Sequence, residues 1–255
     1  GMINIIKGNG EKARELLEKC LELDPKLQEA YHNLGSYYTS KQEIDKAEDM
    51  YMKSLQIDPN NFNTYHNLAT IYIQTDQLSK AKRALEKLLQ IDDNNHQSAF
   101  ILGTIFLTSK EYYPAMANFL YALNLKKDYH DARIGLAEAY YKLGRYKVAL
   151  KELDELITAI PEQLTPYIKA SLILIELGHN SDAVPLLEKA IEIHSTNLEI
   201  IEMLAIIYEQ EGNKERSEEL YQEMLILDPE NKSASEALER MEKTFTDINN
   251  ISTVN

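Results

Sequence analysis

The segment Gln28–Asn61, QEAYHNLGSYYTSKQEIDKAEDMYMKSLQIDPNN, is one complete copy of a pattern that returns along the chain every 34 residues. Its Ala47 belongs to a ruler of small residues, Ala13, Ala47, Ala81, Ala115, Ala149, Ala183 and Ser217, each 34 positions after the last, and no insertion breaks the series. A fixed period of this size means one supersecondary unit copied head to tail, each copy burying its apolar face against its neighbours.

Each copy reads as two helices. In the first, a column of mostly large residues (Tyr31, Tyr65, Ala99, Arg133, Tyr167, Ile201) is followed three, four and seven positions later by Leu34, Gly35 and Tyr38, in the next copies by Leu68, Ala69 and Tyr72 and by Leu102, Gly103 and Phe106. That spacing marks a single apolar stripe on an α-helix, and the small residue in it lets a second helix come close. The second helix carries the alanine ruler, followed four positions on by Leu17, Tyr51, Leu85, Phe119, Leu153, Leu187 and Tyr221 and seven on by Cys20, Ser54, Leu88, Ala122, Leu156, Ala190 and Met224. Asp24-Pro25, Asp58-Pro59, Ile160-Pro161 and Asp228-Pro229 end second helices, because a residue before proline is pushed out of the α region. Gly144, Gly178 and Gly212 fall where the two helices of a copy join.

In these columns the chain resembles the tetratricopeptide repeat family, following its pattern W-x2-L-G-x2-Y, A-x3-F, P over residues 3–231. The family's tryptophan is replaced throughout, and its proline is lost at Asp93, Lys127 and Ser195. The resemblance implies an all-α fold, a right-handed α-solenoid (superhelix) of antiparallel helix pairs. The expected divisions are a partial first repeat over 1–27, six repeats over 28–231, a capping helix over 232–246 and a flexible tail over 247–255. Ile3–Lys7 with Gly8 reads as the stub of a first helix, and Gly1 before Met2 as a tag remnant. Ala234, Leu238, Met241 and Phe245 form the apolar stripe of the capping helix.

Composition narrows the function. With 255 residues, 44% of them hydrophobic, the chain can bury ample surface, and no apolar run reaches the 18 or more residues of a membrane span. Pro166, Lys169 and Glu176 interrupt the nearest, 164–177. Without a secretory signal the chain reads as cytoplasmic, and the lone Cys20 reads as a small core residue. Of the net charge of −14, more than half lies in Leu198–Asn231, where ten acidic residues face only Lys214 and Arg216. Such a chain repels phosphate backbones, so no nucleic-acid partner is expected. No phosphate-binding glycine motif, nucleophile elbow, H-E-x-x-H or cysteine cluster is present, so no enzyme activity, cofactor or metal is expected.

The remaining function is binding a protein or peptide. In the family, the stripe beside the core stripe of each first helix lines a concave groove. Here it begins polar with His32, Asn33, His66 and Asn67, turns apolar through Phe100, Thr104, Leu107, Ile134, Glu138, Tyr141, Ile168, Leu172 and Ile175, and ends acidic with Glu199, Glu202 and Glu209. A buried aliphatic or aromatic side chain supplies about 1.5–3 kcal/mol and an exposed ion pair about 0–1. Affinity is therefore expected from the apolar middle and orientation from the acidic end, which suits apolar anchors followed by Lys or Arg. Two alternatives stand beside this: a second copy covering the groove, giving a weak homodimer rather than a monomer, or Ile168, Leu172 and Ile175 packing on the following repeat. The Lys/Asn clamp of chaperone-tail-binding relatives is not matched, since the basic positions hold His32, His66, Gln97 and Ile101. A structural or self-assembling segment of a larger complex is the alternative function.

Overall fold

A computed structural model of the chain describes the backbone of residues 10–252 and the side chains of residues 10–243. Among the described residues there are fourteen helices and no strand. The first is α1 (Gly10–Leu23) and the last α14 (Lys232–Ser252). Between them run six pairs: α2 (Gln28–Ser40) with α3 (Ile44–Ile57), α4 (Phe62–Gln74) with α5 (Leu78–Ile91), and α6 (His96–Thr108) with α7 (Tyr112–Leu125). The other three are α8 (His130–Lys142) with α9 (Tyr146–Ala159), α10 (Leu164–Glu176) with α11 (Asn180–Ile193), and α12 (Leu198–Gln210) with α13 (Lys214–Leu227). Every first helix has 13 residues and every second helix 14, as the strict period requires. The chain divides into unit 1, Gly1–Gly135, and unit 2, Leu136–Asn255.

The ruler residues are all fully buried at 0% exposure, and Ser217 satisfies its hydroxyl by donating to the Ala205 carbonyl at 2.8 Å. Size matching explains why they pack. A Cβ on Gly35 would lie 2.5 Å from the Tyr51 ring, and Cβ atoms on Gly103 and Gly135 would lie 2.7 and 2.5 Å from the Phe119 ring. The large aromatic therefore occupies the volume that glycine leaves. In unit 1 the core runs through Tyr51, Leu68, Tyr72, Leu85, Leu88 and Leu102; in unit 2 it runs through Tyr167, Leu187, Ile200, Leu204, Tyr221 and Met224.

The joints are equally regular. The first helix of each pair ends in a Schellman closure, with the backbone N–H two residues past the helix cap donating to the large residue of the stripe: Glu43 to Tyr38 at 3.0 Å, Gln77 to Tyr72 at 2.7 Å, Arg145 to Tyr140 at 2.9 Å and Asn213 to Tyr208 at 2.8 Å. The intervening residue must take positive φ. Gly144, Gly178 and Gly212 do so at 70, 74 and 79°, and Gln42, Asp76 and Lys110 at the equivalent positions do so at 60, 56 and 60°. Second helices end on an extended residue before proline, Asp58 at φ −124° and Asp228 at −140°. Asp92, which no proline follows, adopts −134° as well, and its carboxylate accepts the Asn94 N–H at 3.1 Å, the same side-chain turn that Asp58 and Asp228 make with the N–H of Asn60 and Glu230. Asn61, Asn95, Asn197 and Asn231 then cap the next helix by accepting the N–H three residues on.

One expectation changes. Cys20 is exposed, although the six residues in its column, Ser54 to Met224, are 0% exposed. It lies on α1, which has no described helix before it to close that side. Leu23 on the same helix is 89% exposed. At the other end α14 runs to Ser252. Ala234 and Ala237 of α14 are buried, with Leu238 and Met241 packed beside them. The Ile3–Lys7 stub, Gly8, the Gly1–Met2 junction and the Phe245 side chain lie outside the described residues.

Candidate functional site

The sixteen candidate positions fall into three local environments. At the polar start, in unit 1, the side chains are largely engaged inside the fold. His32 Nδ1 lies 2.9 Å from Thr64 Oγ1, and burial lowers its pKa. The Asn67 amide donates to the Tyr51 hydroxyl at 3.1 Å, and that hydroxyl donates to Ser36 at 3.2 Å. Asn33 is half-buried, and His66 is exposed. Further on, Phe100 lies 6.0 Å from Phe119 and 5.0 Å from Tyr129 ring to ring, Thr104 is exposed, and Leu107 and Ile134 are half-buried.

In unit 2 the candidates converge. Ala137, Glu138, Tyr141 and Lys142 of α8, Leu153 of α9, and Lys169, Leu172, Ile173, Ile175 and Glu176 of α10 line a cavity of about 500 Å3. Helical spacing explains the convergence: 138 and 141 lie one turn apart on α8, as do 169, 172 and 176 on α10. Leu172 is 47% exposed, whereas its neighbour Ile173 is 4% exposed and belongs to the core. Ile168 and Ile175 are half-buried and pack against the unit 2 core, so this stripe divides between packing and exposure. The rim is polar: Lys169 donates to Glu138 at 2.8 Å, and the Tyr141 hydroxyl donates to the Glu176 carboxylate, a bond that raises the tyrosine pKa. Such a site can seat one aliphatic or aromatic side chain inside a rim of mixed charge, whose carboxylates are engaged by Lys169 and Tyr141. Lys169 and Glu176 were missed as site residues because in sequence they read only as interruptions of an apolar run.

The acidic end is altered by α14. Arg240 donates to both Glu209 carboxylate oxygens at 3.0 Å, Tyr221 lies 3.3 Å from the same group, and Ser233 donates to Glu202. Of the three, Glu199 stays exposed, so the negative surface offered to a partner is smaller than the residue count suggests. Glu202 and Glu209 are drawn into the fold because the last helix occupies the place a further first helix would take, and it brings its own donors. Among the described residues, no three or more His, Cys, Asp or Glu side chains gather to hold a metal ion, and no helix is long and apolar enough to cross a membrane.

Family models described as tetratricopeptide repeat match residues 1–27, 26–94 and 174–241, and a model described as anaphase-promoting complex, cyclosome, subunit 3 matches 75–156. No protein of curated description matches the chain. Among solved structures, the C-terminal part of a TPR repeat-containing protein from Cytophaga hutchinsonii superposes with a TM-score of 0.79 at 17% identity, over 92% of this chain and 97% of that one. A tetratricopeptide repeat protein from Parabacteroides merdae gives 0.59 at 19% identity, over 93% and 94%. YrrB, described as a TPR protein with an unusual peptide-binding site, gives 0.59 at 18%, over 74% and 97%.

Proposed function

The chain belongs to the tetratricopeptide repeat family, and on that premise we propose that it is an adaptor that captures a peptide or helix of a partner protein on the first-helix face of unit 2. Proteins of this family are generally non-catalytic interaction scaffolds. The observation that carries the reading is the 500 Å3 cavity with Leu172 standing 47% exposed in it. An apolar anchor of the partner fills the space between Tyr141, Leu172 and Ile175, and a Lys or Arg beside it competes with Lys169 for Glu138 or with the Tyr141 hydroxyl for Glu176. Burying that anchor contributes about 1.5–3 kcal/mol, and the half-exposed charges add at most about 1. YrrB's peptide-binding site is a precedent on the same fold.

The test is selection of a displayed random peptide library on the wild type and on Leu172→Glu. Because Leu172 is half in solvent, the variant should melt within about 0.5 kcal/mol of the wild type. Apolar-plus-basic peptides enriched on the wild type and lost on the variant support the adaptor. Equal enrichment on both, or none, removes this site. A structural or self-assembling segment is the second reading, favoured by the apolar edge of α1, where Leu16 is 43% and Leu23 89% exposed. It predicts a mass in solution that rises with concentration and falls on Leu16→Glu.

A further inference from the structure

Unit 1 carries a second cleft, whose rim is mostly cationic. Between α3 and α5, above α4, Met52, Leu55, Tyr65, Leu68, Tyr72 and Ala84 form the walls of a cavity of about 480 Å3. It shares Tyr65 and Lys87 with a neighbouring hollow of about 500 Å3 beside Pro59 and Ile91, so one groove runs through both. Met52 is 46% exposed, an apolar side chain left open to solvent on the groove wall.

The 34-residue ruler shows that the rim is unusual. Lys80, Arg83 and Lys87 of α5 stand at three successive turns of one face, a span of about 10 Å. The same columns hold Lys46, Asp49 and Lys53 on α3, Pro114, Ala117 and Tyr121 on α7, and Arg216, Glu219 and Glu223 on α13. No other second helix puts cations at all three. A generic solvated face would mix signs as α3 does, and the chain as a whole carries −14.

The cations are also differently engaged. Lys80 is taken up by Glu48 at 2.8 Å and lies 5.1 Å from the centre of the Tyr72 ring. Glu48 in turn accepts the Tyr72 hydroxyl at 2.8 Å, so the groove's one carboxylate is already saturated. Lys87 meets only the neutral Gln90 amide at 2.9 Å, and Arg83 has no ion-pair partner among the described residues. Two uncompensated cations thus border an apolar floor.

We propose that this α3–α5 groove is a second docking site, separate from the unit 2 cavity, for an acidic amphipathic segment of another protein. Its aliphatic side chains lie on Met52, Tyr65 and Leu68, and its Asp or Glu residues, a turn apart, pair with Arg83 and Lys87. A guanidinium holds a carboxylate through two parallel bonds, and the low-dielectric floor strengthens the pair. A second copy is a poorer occupant, because two chains of charge −14 repel on approach.

The experiment uses the full chain carrying Leu172→Glu, which removes the unit 2 site, and a displayed library of random 16-residue peptides. Selected peptides should be rich in Asp and Glu interleaved with Leu, Ile or Met. One of them, synthesised with a fluorescent label, should bind the wild type and Leu172→Glu equally. It should bind Arg83→Glu/Lys87→Glu about tenfold or more weakly, and lose affinity as salt rises. Both reversed positions are exposed, so that variant should keep its melting temperature, which circular dichroism checks. The proposal is overturned if no acidic peptides emerge or if binding ignores the charge reversal. A solution mass that grows with concentration in the wild type and not in the charge-reversed variant overturns it too, by assigning the groove to a second copy. Failure here with success at Leu172 would leave the adaptor reading intact, and the converse holds.

Discussion

The same positive-φ turn is built from Gln42, Asp76 and Lys110 in unit 1 and from Gly144, Gly178 and Gly212 in unit 2. The hydrogen bond that closes it is the same in both, as in Gln77 to Tyr72 at 2.7 Å and Asn213 to Tyr208 at 2.8 Å. The turn is therefore demanded by how the two helices of a pair must meet and not by the residue that occupies it. Unit 2 meets the demand without strain, whereas unit 1 holds three side chains in a backbone region that costs an L-residue about 1–2 kcal/mol, less for Asp. A second contrast lies in the core. Tyr51 and Phe119 of unit 1 stand against glycines, while Leu85 of unit 1 and Leu153, Leu187 and Tyr221 of unit 2 stand with Ala69, Ala137, Ser171 and Ala205 at the corresponding positions. A third lies on the first helices, where unit 1 spends its polar side chains on internal hydrogen bonds and unit 2 leaves an apolar cavity open.

The largest test of this contrast is Phe119→Ala. Gly103 and Gly135 on either side have no side chain to fill the void, so the loss should reach about 3–5 kcal/mol in urea unfolding. A much smaller loss would mean that the helices close over the gap and that the aromatic–glycine match is not needed. Next comes Gly178→Ala, expected to cost about 1–2 kcal/mol through its φ of 74°, with nothing within 4 Å to clash. Lys110→Gly should act in the opposite direction and raise stability by about 0.5–1 kcal/mol, the strain relieved less the extra entropy of an unfolded glycine. Responses of opposite sign at 178 and 110 would confirm a shared backbone demand; destabilisation at both would show that Lys110 contributes through its side chain.

The smallest effect is a pH dependence at His32. Burial holds its folded pKa below the ordinary value of about 6.5, so the unfolded chain takes up the proton first. Stability then falls as pH drops through about 6.5 and levels off below the folded pKa. His32→Gln should flatten that part of the profile measured by thermal melts. An unchanged slope would mean that the Thr64 contact adapts to the charged ring.

Most of the scaffold was legible because it depends on spacing. The ruler, the stripe and the proline stops each report a local helix geometry, and Gly144, Gly178 and Gly212 announce their turns by being glycine. The turns at Gln42, Asp76 and Lys110 gave no such signal and could be found only by counting 34 residues. Cys20 failed for the opposite reason: its column is a core column only when a helix lies on both sides of it. The site was half legible. The stripe did contain Leu172, Tyr141 and Glu138, which line one cavity, but nothing in the sequence distinguished exposed Leu172 from half-buried Ile168 and Ile175, since all three are apolar residues on one turn-spaced face. The availability of Glu209 could not be read either, because its partner Arg240 lies 31 residues away on a helix whose docking is set by packing.

The sequence by itself determined the repeat, its helix pairs, the size of the residues at each core position and where charge is concentrated, because each is a property of spacing or composition. Only the tertiary structure decided which side chains remain available. Exposure, ion pairing and cavities depend on what the neighbouring helices cover. That is why Glu202 and Glu209 are engaged, Leu172 is open, and two apolar clefts, one with a rim of mixed charge and one rimmed mostly by cations, lie in separate units of the same chain.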